Sequence, residues 1–415
     1  MTKNRNRDYL PSFTGMRGMS CLMVILCHCS NLKIAPSKTL SELGTPAVYF
    51  FFVLSGYLLM NRGLFEIQSS ATATPQRFFG RRLLSFLIRR IARIYPAYFI
   101  TAFLYHTLIS ITKRYGYQEY VLHDFDRSLW LTFIFKGMES HLWTIVHEWN
   151  FYTLILPIIL SLAAELMILD HRTNRKWKLV LIFYFIITMY VTWQQLQVGN
   201  IETGYPARHE IKVHLPAFWH GALGGIASFY ARHQINLNFD ILKDRTQVLL
   251  EIGVWTLLIR LALGNPNILS LYTNLDPHSW WNNPLAVTPF VALLLCVVDL
   301  TRETCSFARA MSLPLFTEMG KVSYSVYLIH LGIVILFKWL TKIRDLDGTL
   351  SIILIAFSAG SVLYHLVEKQ GVRYGNKLLK FLEDRTENSI APVIPVENSN
   401  IPITPVELVE EESFD

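Results

Sequence analysis

Thr14–Ser30 reads TGMRGMSCLMVILCHCS, an apolar run interrupted near its start by Arg17 and near its end by His28. In an α-helix at about 100° per residue, the eleven-residue interval returns the two side chains to nearly one face, with roughly 16 Å of rise between them. An ionisable side chain at the centre of a lipid-spanning helix costs about 2.5 to 3.5 kcal/mol on insertion scales, so it is expected to face protein or water. The stretch therefore predicts a span with an inward polar face, His28 looking into a chamber and Arg17 at its cytoplasmic mouth.

Composition carries that reading to the whole chain. The 415 residues are 52% hydrophobic and only 17% charged, whereas about a quarter of an ordinary soluble domain is charged. The expected fold class is all-α, a polytopic integral membrane protein. A window of about 19 residues finds about ten spans, near 16–33, 45–61, 94–112, 142–168, 178–195, 213–231, 246–264, 284–300, 322–340 and 349–367.

The net charge of +7 does not indicate nucleic acid, because the basic residues fall in bursts between apolar segments rather than along one face. They fit the positive-inside rule instead. Arg62, Arg77, Arg81, Arg82, Arg89, Arg90 and Arg93 cluster between the second and third spans. The segment from Pro266 to Trp281 has no Lys or Arg. The alternation predicts a multi-pass protein with cytoplasmic N- and C-termini. The N-terminal run lacks a small-residue cleavage site and is expected to remain as the first span. Five cysteines, all in or beside apolar segments and without a CxxC pair, argue against a disulfide framework. From about Arg385 the chain turns to TENSIAPVIPVENSNIPITPVELVEEESFD, whose Pro and Glu content predicts a disordered acidic cytosolic tail, 385–415.

Three further stretches bear chemistry. In RRIARIYPAYF, residues 89–99, Arg90 and Arg93 are neighbours on one helical face at the bilayer entrance. Guanidinium forks bind phosphates bidentately, which suits a polyphosphorylated cytosolic ligand such as coenzyme A. In LWTIVHEWNFY, residues 142–152, Glu148 lies within an apolar run entered from the outer side. It has two readings: an ion pair with an arginine of another helix, or orientation of a catalytic imidazole and binding of an acceptor hydroxyl. In KVSYSVYLIH, residues 321–330, His330 is expected at mid-membrane, at a depth similar to His28. His141, by contrast, falls at a span end, where an exposed imidazole carries little information. Cys27, His28 and Cys29 are consecutive and point in different helical directions, so no metal site is expected there.

Arg17 with ten residues before His28, FFFVLSGYLL at 50–59, the blocks at 89–99, 142–152 and 321–330, and HLVEKQGVRYG at 365–375 together resemble the acyltransferase 3 family of integral-membrane O-acyltransferases, which act mostly on bacterial surface glycans. The resemblance implies a ten-helix membrane-embedded acyltransferase domain over 1–384. It implies transfer of an acyl group, most commonly acetyl, from cytosolic acyl-coenzyme A to a hydroxyl of an extracytoplasmic glycan or glycolipid. It implies His28 as catalytic histidine with Arg17 as its companion, Arg90 and Arg93 as the donor-side pair, and Glu148 and His330 as further catalytic positions. Acyl-coenzyme A is then a donor substrate, and no permanently bound cofactor is expected. Val146, His147 and Trp149 depart from the family's usual LWSLSVEEQFY, which bears on the acceptor. The chain is expected to lack the appended extracytoplasmic domain of some members. The competing reading is a transporter or flippase for a lipid-linked glycan, or an export-assembly subunit, in which buried His and Arg line a pathway.

Overall fold

The computed structural model describes residues 10–36, 38–69, 75–115, 133–135, 140–160, 186, 190, 211–233, 284–301 and 305–388. Among them there is no strand. Helix α1 spans Pro11–Asn31, α2 Gly44–Ser69, α3 Pro75–Arg114 and α4 Trp143–Asn150. A π-helical turn, Phe151–Ile155, follows α4. Then come α5 (Ile211–His233), α6 (Pro284–Thr301), α7 (Ser306–Met311), α8 (Pro314–Lys321), α9 (Ser323–Leu340) and α10 (Asp345–Leu363). A second π-turn, Tyr364–Glu368, joins α10 to α11 (Lys369–Asn388).

Four helices are long and apolar enough to cross a bilayer among the described residues: Gly44–Phe65, Leu83–Arg114, Ser323–Leu340 and Asp345–Asp384. Helices α1, α5 and α6 occupy three more of the expected spans. The expected span 178–195 apart from residues 186 and 190, the span 246–264, the end of 142–168 and the tail beyond Asn388 lie outside the described residues. Arg385 to Asn388 continue α11, so helix reaches four residues into the segment assigned to the tail.

Helix α1 is central, not peripheral. Its small residues admit close neighbours: a methyl on Gly15 would overlap the Met311 carbonyl, and one on Gly18 would crowd the Gly320 amide. The same device joins α2 to α5, where a methyl on Gly56, Gly221 or Gly225 would collide with the carbonyl of Phe218, Val53 or Tyr57. Without a hydrophobic force between helices in lipid, close backbone packing of this kind drives association. The α2–α5–α6 face is also pinned by a buried polar cluster. The Tyr57 hydroxyl lies 2.5 Å from the Asp299 carboxylate and 2.5 Å from the Ser228 hydroxyl, and Asn61 Nδ2 donates to the Gly225 carbonyl at 3.1 Å.

The arginine-rich stretch expected between the second and third spans is largely helical. Helix α2 runs on to Ser69, and α3 starts at Pro75, long before the expected span, and passes straight through Pro96. Proline has no amide hydrogen, so the Ala92 carbonyl loses its helical partner. Gly371 of α11 packs against that carbonyl so closely that a methyl there would collide with it. A neighbouring helix thus covers the freed group, as proline in membrane helices requires. None of the five cysteines forms a disulfide.

Candidate active site

Two polar levels are stacked inside the bundle. At one, His28 near the end of α1 meets His330 of α9, ring centroids 5.1 Å apart. His141, in the short 3-10 turn that opens α4, lies 5.0 Å from His330. His330 is fully buried and His141 is 3% exposed, while His28 is half-buried.

Backbone carbonyls set the tautomers of two of these rings. His141 Nε2 lies 2.7 Å from the Leu328 carbonyl, and His330 Nδ1 lies 2.6 Å from the Tyr327 carbonyl. A carbonyl only accepts, so those nitrogens carry the hydrogens. His141 Nδ1 and His330 Nε2 are then lone pairs, both buried and without a hydrogen-bond partner; His28 Nδ1 is likewise buried and without one. Two imidazoles thus offer acceptor nitrogens beside the third. The complement is a group that donates: a substrate hydroxyl, or His28 itself once protonated.

Tyr327 ties this level together, its hydroxyl donating to the His141 carbonyl at 2.9 Å and accepting from Thr144 Oγ1 at 2.8 Å. Among the described residues, no group of three His, Cys, Asp or Glu side chains is arranged to hold a metal ion.

The second level holds the arginines. Arg90 lies 5.3 Å from the centroid of the Tyr152 ring and 5.4 Å from that of Phe86. Glu148 stands beside them, within electrostatic reach of Arg90 and Arg93; Ser55 Oγ donates to it at 3.4 Å and in turn accepts from the Tyr152 hydroxyl at 3.3 Å. Arg93 Nε donates to Glu368 Oε1 at 3.3 Å, and Ser325 Oγ donates to Glu368 Oε2 at 2.6 Å. Arg17 acts on the same carboxylate.

The structure therefore groups the sequence-derived residues in two sets. His28 and His330 come together, joined by His141. Arg17, Arg90 and Arg93 come together with Glu148 and Glu368. Glu148 keeps company with arginines rather than imidazoles because it sits seven residues after His141. Two helical turns return it to a similar face about 10 Å further along. A second aromatic group, Trp143, His147 and His214, packs on the other side of α4, with the two imidazoles 4.7 Å apart.

Sequence reading discounts His141 and passes over Glu368. The signal for the first is its seven-residue interval from Glu148. For the second it is an acid within an otherwise basic block, HLVEKQGVRYG.

A family model described as an acyltransferase domain, that of the acyltransferase 3 family, matches residues 10–365. Proteins of Staphylococcus aureus strains COL and N315, each named "Putative O-acetyltransferase", are 21% identical over 353 residues, covering 80% of this chain and 52% of theirs. The chain thus spans about half the length of these curated relatives. A protein of Acidianus two-tailed virus named "Putative acetyltransferase" is 22% identical over 326 residues, covering 78% of this chain and 83% of its own. No solved structure matches the chain.

Proposed function

We propose that this chain, which belongs to the acyltransferase 3 family, is a membrane O-acyltransferase that carries an acyl group, acetyl by preference, from acyl-coenzyme A to a hydroxyl of an extracytoplasmic glycan or glycolipid. The observation that carries this reading is the stacking of the two levels along α1. Arg17 stands in the arginine cluster, and His28, about 16 Å further along the same face, stands in the histidine cluster.

The arginine level is the donor mouth, open to the cytosol with both chain ends on that side of the inner membrane. Phosphates of acyl-coenzyme A pair with Arg90, Arg93 and Arg17, because guanidinium forks match phosphate oxygens bidentately. Glu148 and the Tyr152 ring hold Arg90 in place. The pantetheine arm then reaches inward toward His28, and the acceptor enters from the opposite face, past Trp143.

As general base, His28 takes the proton from the acceptor hydroxyl while the oxygen attacks the thioester carbonyl. The C–O bond forms, the C–S bond breaks, and the departing thiolate takes the proton back from His28. Such positioning of a base is typically worth a factor of about 10² to 10⁴ in rate. In the covalent variant, a His28 ring nitrogen attacks the thioester carbonyl and the C–S bond breaks, the departing thiolate taking the proton that the acylated ring sheds; the acceptor oxygen then attacks the acyl-imidazole, its proton returning to the ring as the C–N bond breaks. In either version His330 Nε2 can accept a hydrogen bond from protonated His28, the orienting role that a carboxylate plays in a serine triad.

The test is His28→Ala, purified in lipid nanodiscs beside the wild-type protein. Expected is normal insertion and a monodisperse protein that no longer consumes acetyl-coenzyme A or acetylates glycan. Wild-type turnover by the variant, or a wild-type protein that moves glycan with no dependence on donor, overturns the reading; the latter result is that of a carrier.

A further inference from the structure

We propose that Glu368 is a positioning residue of the donor mouth: its carboxylate orients the Arg93 guanidinium, with Arg17 alongside, to receive donor phosphates. The inference rests on the acyl-coenzyme A reading above and adds a residue to it.

Three elements meet at this carboxylate, with a fourth within electrostatic reach. Glu368 is 1% exposed. One oxygen accepts from Arg93 Nε of α3 at 3.3 Å and the other from Ser325 Oγ of α9 at 2.6 Å. Arg17 of α1 acts on it through charge, and Glu368 itself ends the π-turn after α10. The contact to Arg93 is made through Nε, the stem end of the guanidinium, so the carboxylate fixes the plane of the fork.

The backbone is shaped for this contact. A π-turn inserts one residue into a helix and rotates all later side chains by about 100°, and such bulges cluster at functional sites. Two π-turns occur among the described residues, and both serve the same arginine pair. Tyr364–Glu368 delivers Glu368 to Arg93, and Tyr152, at the start of Phe151–Ile155, presents its ring to Arg90. The groove on the far side of the Tyr364–Glu368 turn is set as well, because Gly371 and Gly375 seat α11 on Ala92, one residue from Arg93.

Nor does the carboxylate cancel the site. Arg17, Arg90 and Arg93 face Glu148 and Glu368, three positive groups against two negative, so attraction for a polyphosphate survives. Glu368 adds geometry: an arginine held before the ligand arrives loses less freedom when it binds.

The experiment measures binding of acetyl-coenzyme A and acetyl-dephospho-coenzyme A to the full chain in nanodiscs, for the wild-type protein and three variants. Glu368→Ala is expected to weaken acetyl-coenzyme A binding by about tenfold or more, an arginine's share of a phosphate contact, and to narrow the preference over the dephospho compound. KM should rise in step while kcat changes by less than about twofold, the signature of lost ground-state binding. Glu368→Gln keeps an oxygen for Arg93 Nε and should stay within about threefold of wild type. Ser325→Ala leaves the charge but removes the partner that steadies it, and should weaken binding by about threefold.

Wild-type or tighter binding by Glu368→Ala overturns the proposal, since the carboxylate then competes with phosphate. Equal losses in Gln and Ala overturn it as well. If Glu368→Ala yields no folded protein, unchanged affinity in Ser325→Ala is the overturning result. A wild-type protein that binds neither compound overturns the donor reading itself, a failure seen before any variant is compared.

Discussion

Replacing Tyr327 by phenylalanine removes one oxygen from the hydrogen-bonded floor of the histidine level. That oxygen donates to the His141 carbonyl at 2.9 Å and accepts from Thr144 Oγ1 at 2.8 Å. A net intramolecular hydrogen bond contributes about 0.5–1.5 kcal/mol, which for two bonds would suggest about 1–3 kcal/mol. The lower end is expected, because Thr144 already stands 3.3 Å from the His141 carbonyl and can turn its hydroxyl fully onto it. One bond is then lost rather than two, about 1 kcal/mol or a factor of about five in the folding equilibrium. The His141 ring keeps its bond to Leu328, so the histidine level loosens without dispersing. Turnover should fall by less than about tenfold, the equivalent of about 1.36 kcal/mol of barrier. The assay is a double-mutant cycle of Tyr327→Phe with Thr144→Val, followed by SDS titration of the detergent-solubilised protein and by acetyl-coenzyme A turnover in nanodiscs. A coupling energy of about 0.5–1 kcal/mol is expected. Strict additivity, below about 0.3 kcal/mol, refutes the bridging role assigned to Tyr327.

Tyr57→Phe leaves the buried Asp299 short of a donor that now lies 2.5 Å away; a loss of about 1.5–3 kcal/mol is expected, read as a lower midpoint of SDS-induced unfolding with catalysis retained in the folded fraction. Gly371→Ala sets a methyl against the Ala92 carbonyl and should cost about 1–3 kcal/mol by overpacking; unchanged thermal stability would show that α11 does not seat on α3 as described. Arg93→Lys keeps the charge but loses the planar fork, so KM for the acyl donor should rise by about tenfold with kcat nearly unchanged, and a kcat effect without a KM effect would separate Arg93 from donor binding.

The sequence by itself determined the membrane class, the helical content and the inward face of α1. These follow from hydropathy and from the 3.6-residue period, which are local properties of the chain. It also brought out the pairing of Arg90 with Arg93, three residues apart on one helix. Depth was legible too: His28 and His330, predicted at a similar level from their distance along separate spans, stand with rings 5.1 Å apart. Absent from it was which side chains at a given depth come into contact across helices. The 141–148 interval placed one residue among imidazoles and the other among arginines, but that assignment needs the neighbours of α4 to be known. His141 reads as an uninformative span-end histidine because exposure at a helix end is decided by the element packed over it, and here α9 covers it. Glu368 was hidden by its basic surroundings and by the π-turn, whose extra residue shifts every later side chain off the regular helical period. Only the packed bundle could reveal that this shift turns a lone carboxylate toward Arg93, since a contact between residues 275 positions apart leaves no trace in either local pattern.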